Sequence, residues 1–325
     1  MKGKKVLITG GLGFIGSNLA IKCLELGAEV CILDNLMPDT GANYHNIAGF
    51  EEKLEIVEGD IRNSVLMNEI VKEKDIIFNL AAQVSHVLSM ENPLLDVDIN
   101  CKGQIILLEA CRMNNPSVKI VYTGTRTQTG SVEGGVIKEI MRDNPSDIYG
   151  AGKLASEIYH LIYYKAYGLK TTSLRLTNIY GPRAQIKNPK YGVVNWLIGK
   201  AIRGEDLTIF EPGTQLRDIL HVDDVVDAMI LASEKDEANG EVFLLGSGKG
   251  ISLIEIANDI VKSVGNGKVR LVPWPPERKN IEVGDAVLDC GKIKEKLGWE
   301  AKISFEEGMK RTIEFFEKNL NRYLG

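Results

Sequence analysis

Short apolar runs alternate, through the first half of the chain, with longer segments whose apolar residues recur at helical spacing. Residues 4–9, 29–33, 54–58, 76–80, 119–123 and 171–176 read as strands, beginning with the unbroken run Val6-Leu7-Ile8. Between them, residues 14–26, 64–73, 100–112 and 150–167 read as helices, the third carrying a broad apolar stripe of Ile105, Ile106, Leu107 and Leu108. Strands alternating with helices of this length predict a mostly parallel, doubly wound α/β sheet covered on both faces. The texture changes after Gly181-Pro182, where residues 181–192 are rich in Gly, Pro, Lys and Asn and read as a loop. A helix at 193–203, a short strand at 207–210 and a turn at Glu211-Pro212-Gly213 follow. Helix 222–233 and strand 241–245 read as returning to the first unit. Segment 251–264, the Pro-rich 272–278 and a final helix at 305–323 fall to a smaller α/β lobe. The division expected is therefore 1–180 with 221–245 as one domain, and 181–220 with 246–325 as a second, discontinuous one.

Composition narrows the partners. With 325 residues, 44 % of them hydrophobic, the chain can bury a sizeable core. A formal charge of -5 argues against a general nucleic-acid surface, which needs concentrated positive charge. No apolar run approaches the ~20 residues that cross a bilayer, so no membrane partner is expected. A strand that begins almost at Met1 leaves no room for a signal peptide. Cys23, Cys31, Cys101, Cys111 and Cys290 form no Cys-x-x-Cys pair and read as reduced thiols of a cytoplasmic protein. His45, His86, His160 and His221 have no ligand spacing, and no metal is expected.

Candidate chemistry starts at Gly10-Gly11-Leu12-Gly13-Phe14-Ile15-Gly16, placed between a buried strand and a helix. A side chain at Gly10 or Gly13 would stand between the backbone and a pyrophosphate, and Gly16 allows close helix-to-sheet packing. The free N–H groups of the helix then face the diphosphate. Asp34 ends the second strand, where a carboxylate can accept hydrogen bonds from an adenosine ribose. Its charge disfavours a 2'-phosphate and no arginine follows directly, which selects NAD over NADP. Asp60, with Ile61 after the third strand, could reach the adenine. Ala81 and Ala82 after the fourth strand would let a dinucleotide lie close to the sheet edge. A helix cap at Asp60 and simple packing at the two alanines remain open.

Tyr149 and Lys153 lie four residues apart, on one face of a helix. A tyrosine holds its proton until pH ~10, but positive charge from Lys153 and an oxidised nicotinamide favours the phenolate near neutral pH. Thr125, beyond the strand at 119–123, could orient a substrate alcohol toward Tyr149. Thr123, Thr127 and Thr129 are competing hydroxyls.

Together these residues resemble the extended short-chain dehydrogenase/reductase family, in particular its nucleotide-sugar epimerases and dehydratases. Besides the glycine motif, the resemblance rests on Asp34-Asn35-Leu36, Tyr149-Gly150-Ala151-Gly152-Lys153 and Arg175-Leu176-Thr177-Asn178-Ile179-Tyr180-Gly181-Pro182. It extends to Gln215-Leu216-Arg217-Asp218-Ile219-Leu220-His221-Val222-Asp223-Asp224. It implies a Rossmann-type domain with a smaller lobe that binds a nucleotide-sugar, and adds Phe14, Ile15, Asn35 and Asn100 to the NAD contacts. It also implies that Asn178, Arg217 and Arg278 hold a diphosphate, that Phe210 packs on the nucleobase and that Asn195 donates nearby. The family's paired helices imply a homodimer. The chain departs from the pattern at Thr125-Arg126-Thr127-Gln128-Thr129-Gly130, where Tyr-Gly usually ends the segment, and at Asn79, where histidine is common.

The family's 4,6-dehydratases carry acidic residues directly after the catalytic hydroxyl residue, and its decarboxylases a glutamate in the same segment; here Arg126 and Thr127 stand instead. Without an added acid/base pair, transient oxidation and return of hydride is the expected chemistry. A UDP-hexose 4-epimerase is expected first and a CDP-sugar 2-epimerase second. A dehydratase or decarboxylase and a non-catalytic NAD-binding regulator are the remaining alternatives. Glu133, Glu139 and Asp143 lie in a loop from which an acid could still come.

Overall fold

Seven parallel strands form the central sheet of the computed structural model, which describes residues 1–275 and 284–324. The strands of all the sheets, in chain order, begin with β1 (Lys5–Thr9), β2 (Glu29–Asp34), β3 (Glu55–Glu58), β4 (Ile76–Asn79), β5 (Lys119–Thr125), β6 (Val136–Ile137) and β7 (Lys170–Leu176). They continue as β8 (Asn178–Tyr180), β9 (Leu207–Phe210), β10 (Leu216–His221), β11 (Val242–Leu245), β12 (Gly250–Ser252), β13 (Val269–Val272) and β14 (Val287–Leu288). The large sheet runs β11-β7-β5-β4-β1-β2-β3. Strand order therefore reverses between β1 and β4, and a doubly wound sheet opens its ligand crevice at such a reversal.

Alternation in the strands explains the two covered faces. Val6 and Ile8 of β1 pack with α1 (Phe14–Glu25) and the helix Val222–Glu234. Leu7 points the other way, with Met67 and Ile70 of α2 (Ser64–Ile70) and with Leu107, Leu108 and Cys111. All three β1 side chains are fully buried, which is why the run is apolar throughout instead of alternating. A separate core gathers Leu197, Ile209, Ile219, Ile256 and Ile260 around the smaller sheets.

Several boundaries differ from the sequence expectation, each for a local reason. Strand β5 runs on to Thr125 because pairing continues to Thr125 opposite Leu176, so Thr125 ends the strand instead of following it. The helix expected at 64–73 stops at Ile70, and Glu73 takes a left-handed φ of 57°. Residues 82–99, given no element above, form α3 (His86–Glu91) and α4 (Pro93–Val97). A π-helical turn at Asp98–Lys102 then leads into α5 (Gly103–Asn114). Their start signals were present: Ser85 accepts from Leu88 N–H, and Asn92 precedes Pro93 and accepts from Leu95 N–H. Helix α6 spans Ile148–Tyr167, capped by Asp147 at one end and by left-handed Gly168 at the other.

Candidate active site

A cavity of ≈ 310 Å³ opens where the carboxyl ends of the parallel strands converge. Its walls take Gly10, Gly13, Phe14, Ile15 and Gly16 from the first turn, Asp34 and Asn35 from the end of β2, and Asp60 and Ile61 from beyond β3. Ala81 and Ala82 follow from beyond β4, Thr123 and Thr125 from β5, and Tyr149 and Lys153 from α6. Met37, Thr40, Val84 and Ile99 also line it and were not singled out in the sequence; nothing in their residue types distinguishes them from loop or core positions.

The glycines are explained by what a side chain would strike. Gly10 has φ +70°, and a Cβ there would lie 3.1 Å from the backbone of Leu80 and Ala81, so the turn presses directly against the exit of β4. At Gly16 a Cβ would come within 2.2 Å of the Gly10 carbonyl oxygen, and only glycine lets α1 approach the turn so closely. Asp34 ties the same turn to β2: its Oδ2 accepts Leu12 N–H at 3.0 Å and its Oδ1 accepts Leu36 N–H at 2.9 Å. Burial pushes the Asp34 carboxyl up, against those backbone donors. Asp60 is held down at about 2 chiefly by hydrogen bonds from Arg62, and also accepts Asn35 Nδ2 at 2.8 Å.

At the far end, Tyr149 and Lys153 project from successive turns of α6. Two glycines bring that helix close. A Cβ on Gly150 would meet the Thr127 carbonyl at 3.0 Å, and one on Gly152 would meet Asp96 Oδ1 at 2.9 Å. Thr125 is a buried strand end whose hydroxyl lies 3.1 Å from that of Thr127. Burial raises the Tyr149 phenol well above its ordinary value; Thr125 and Arg126 work against that, and the charges of Asp147 and Asp96 add to it. Burial likewise pushes the Lys153 ammonium down to about 7, opposed by Asp96 and Glu157. Lys153 Nζ sits 4.4 Å from the centre of the Tyr122 ring.

Other expected residues are placed elsewhere. Asn100 stands behind the wall, where its side chain accepts Gln83 N–H at 3.1 Å and donates to Gln83 O at 2.8 Å. Asn178, Asn195, Phe210 and Arg217 do not line the cavity. Asn178 donates to Asp218 O, Asn195 bridges Gly181 N–H and Ile179 O, and Arg217 donates to Leu216 O and Gly284 O. Phe210 packs against Trp274 with ring centres 4.7 Å apart. Arg278 lies outside the described residues. Asn79 is buried, accepting from Thr9 and donating to Gln104. Asp143 pairs with Arg175 at 2.7 Å, and Glu139 accepts Leu244 N–H at 3.1 Å. Among the described residues, the carboxylates that line the cavity are Asp34 and Asp60, at the end away from Tyr149.

A dinucleotide fits this cavity by its chemistry: a glycine turn that admits no Cβ, a helix N-terminus for the diphosphate, a buried carboxylate for ribose hydroxyls and a lysine beside a phenol. Sheet order and cavity thus define a doubly wound, dinucleotide-binding class of protein. Residues 7–312 match the family model described as GDP-mannose 4,6 dehydratase. A UDP-glucose 4-epimerase of Mycolicibacterium smegmatis is 35% identical over 320 residues, which are 96% of this chain and 98% of the relative. A CDP-paratose 2-epimerase of Salmonella typhi is 30% identical, covering 96% and 98%. The crystal structure of Thermus thermophilus UDP-glucose 4-epimerase in complex with NAD superposes with a TM-score of 0.85 at 31% identity, covering 96% of this chain and 99% of that one. A decarboxylase and a dTDP-glucose 4,6-dehydratase match at 30% and 29%. The chain belongs to the extended short-chain dehydrogenase/reductase family, within its group of NAD-dependent nucleotide-sugar epimerases, dehydratases and decarboxylases.

Proposed function

We propose that this protein is an NAD-dependent nucleotide-sugar epimerase that inverts C4 of a UDP-hexose. The observation that carries the reading is the reactive end of the cavity: Thr125, Tyr149 and Lys153 converge there, and the cavity's carboxylates stand at the other end. Gly10, Gly13 and Gly16 with the α1 N-terminus hold the NAD diphosphate, Asp34 its ribose, and Asp60 and Ile61 flank the adenine. NAD supplies a hydride acceptor and later donor, together with a positive ring charge.

The chain's own residues handle the proton. Thr125 orients the sugar hydroxyl, and the Tyr149 oxygen takes its proton and afterwards returns it. Lys153 favours the phenolate when charged. The family resemblance assigns Asn178, Arg217 and Arg278 to the substrate diphosphate and Phe210 and Asn195 to its base. The four of these that the structure describes stand outside the cavity, against Asp218 O, the Leu216 and Gly284 carbonyls, Trp274 and the backbone of Gly181 and Ile179. The keto-sugar turns about its diphosphate tether between the two hydride transfers. Elimination of water or carbon dioxide would need a further acid/base group lining the reactive end; Asp143 and Glu139 are engaged elsewhere, and Asp147, beside Tyr149, is taken up by His86 and Gly150 N–H.

Incubation with UDP-, CDP-, GDP- and dTDP-sugars, followed by mass spectrometry and proton NMR, tests this reading. A UDP-hexose of unchanged mass inverted at C4 is expected. Inversion at C2 of a CDP-sugar would select the second reading, and a product lighter by water or carbon dioxide would overturn both.

The assembly proposed is a symmetric dimer. Ile105 of α5 and Ile158, Ile162 and Tyr167 of α6 are exposed apolar side chains on neighbouring helices, and packing these helices against their symmetry mates would cover them. Light scattering at micromolar concentration should give twice the chain mass; a monomer would refute the proposal.

A further inference from the structure

Tyr122 sits in the middle of β5 with its side chain buried, and none of the roles assigned above uses it. Its ring centre lies 4.4 Å from Lys153 Nζ, and its hydroxyl donates to Lys153 O at 3.3 Å. One aromatic side chain thus holds both the backbone and the ammonium of the same lysine. The ring also stacks on His160, with centres 4.4 Å apart and planes 23° from parallel. His160 is fixed in turn: its Nδ1 donates to Ser156 O at 2.8 Å, and its Nε2 accepts Asn79 Nδ2 at 3.3 Å. Burial keeps this imidazole neutral down to about 4, so it brings no second cation to the ring.

The ammonium has few other contacts. Lys153 is buried, and among the described residues no hydrogen bond or ion pair reaches its Nζ. The charges acting on it are Asp96 of α4 and Glu157, one turn further along α6. Both carry other partners. Asp96 accepts from Gln83 at 2.7 Å and from Asn100 at 3.1 Å, and Glu157 from Arg175 at 2.5 Å and from Ser173 at 2.6 Å. Asp147 and Arg126 act on Tyr149, the neighbouring phenol on α6, which burial keeps neutral. Cys101, in the π-helical turn, is a thiol raised by burial.

We propose that Tyr122 is a positioning residue for Lys153, its ring face holding the ammonium charged at the reactive end of the cavity. The inference rests on the reading of Lys153 as the group that favours the Tyr149 phenolate. An ammonium taken out of water loses its hydration. An aromatic face returns part of that loss through attraction between the charge and the ring quadrupole, most strongly where water is excluded. An aliphatic side chain returns none. Without the ring, Lys153 gives up its proton at lower pH, and Tyr149 then faces a neutral amine.

Graded replacements of Tyr122 separate ring electrostatics from packing. Tyr122→Phe keeps the face and loses only the hydroxyl bond, so Lys153 should titrate close to the parent. Tyr122→Leu removes the face, and Lys153 should titrate about one pH unit lower. Water admitted beside the smaller side chain would move it upward instead. Phenylalanines carrying one, two and three ring fluorines in place of Tyr122 are nearly equal in size. They should lower the titration step by step, because fluorine drains negative charge from the ring face.

The readout is NMR against pH of protein isotope-labelled at lysine Cε, the Lys153 signal being the one absent from Lys153→Met. It needs neither NAD nor turnover, so it decides the role of Tyr122 separately from the proposed reaction, which the turnover of Tyr149→Phe tests. A stepwise fall through the fluorinated series would support the proposal even if Tyr122→Leu did not fold. A Lys153 that titrates alike throughout that series, or alike in Tyr122→Leu and the parent, would overturn it.

Discussion

At the Asp34 end of the cavity every charge already has its partners: backbone N–H groups of Leu12 and Leu36 on Asp34, and Arg62 with Asn35 on Asp60. At the Tyr149 end the charges are withheld, since burial disfavours both a phenolate at Tyr149 and an ammonium at Lys153. On the proposed reading, one end is complete before any ligand arrives, and the other would depend on the ligand's own charge to become reactive. The binding end can therefore lose a side chain and keep the chemistry, whereas the reactive end cannot.

The largest expected effect follows from deleting the proton acceptor. Tyr149→Phe should bind NAD and unfold like the parent, but lose about 10²–10⁴-fold in turnover; near-normal turnover would move the chemistry away from this end. A smaller effect is expected at Asp34. Asp34→Ala should keep turnover at saturating NAD and narrow the preference for NAD over NADP, since one charge–charge repulsion of ~1 kcal/mol or more is removed. Calorimetry with both dinucleotides measures the ratio, and an unchanged ratio would mean that Asp34 only braces the turn.

The smallest effect is a pH dependence of stability. Between about 7 and the ordinary lysine range, the unfolded chain binds a proton at Lys153 that the folded chain does not. Stability should therefore rise with pH across that window, while below it the cost is constant. Raised Tyr149 acts in the opposite direction only above pH ~10. Because burial also pushes Lys119 down, to about 8, urea unfolding of parent and Lys153→Met at two pH values between about 7 and 8 should show the slope in the parent and a shallower one in the variant. Equal slopes would place the lysine in a more solvated setting.

The same contrast governs what could be read from the sequence. The sheet was legible because β1, β2 and β5 are short apolar runs joined by helices of regular period, and the glycine turn because its spacing has a steric cause. The expectation for Gly10 was incomplete, since the nearest obstacle is the exit of β4, a contact distant in sequence. Strands such as β8 and β12 are three residues long and too short for any periodicity to emerge. Tyr149 and Lys153 announce themselves by spacing along one helix. His86 and Asp147 are 61 positions apart, and only the packing of α3 against α6 joins them. Asn100 was misplaced for a related reason: the π-helical turn in which it lies directs its amide to Gln83 rather than into the cavity.

The central claim is that hydride leaves C4 of the sugar and returns to it within one bound complex. It is tested most directly with UDP-glucose carrying deuterium at C4, incubated with the NAD-loaded protein and analysed by NMR and mass spectrometry. The account predicts UDP-galactose of unchanged mass with the deuterium still on C4. A product from which that label has been lost, or one lighter by water or carbon dioxide, would contradict it.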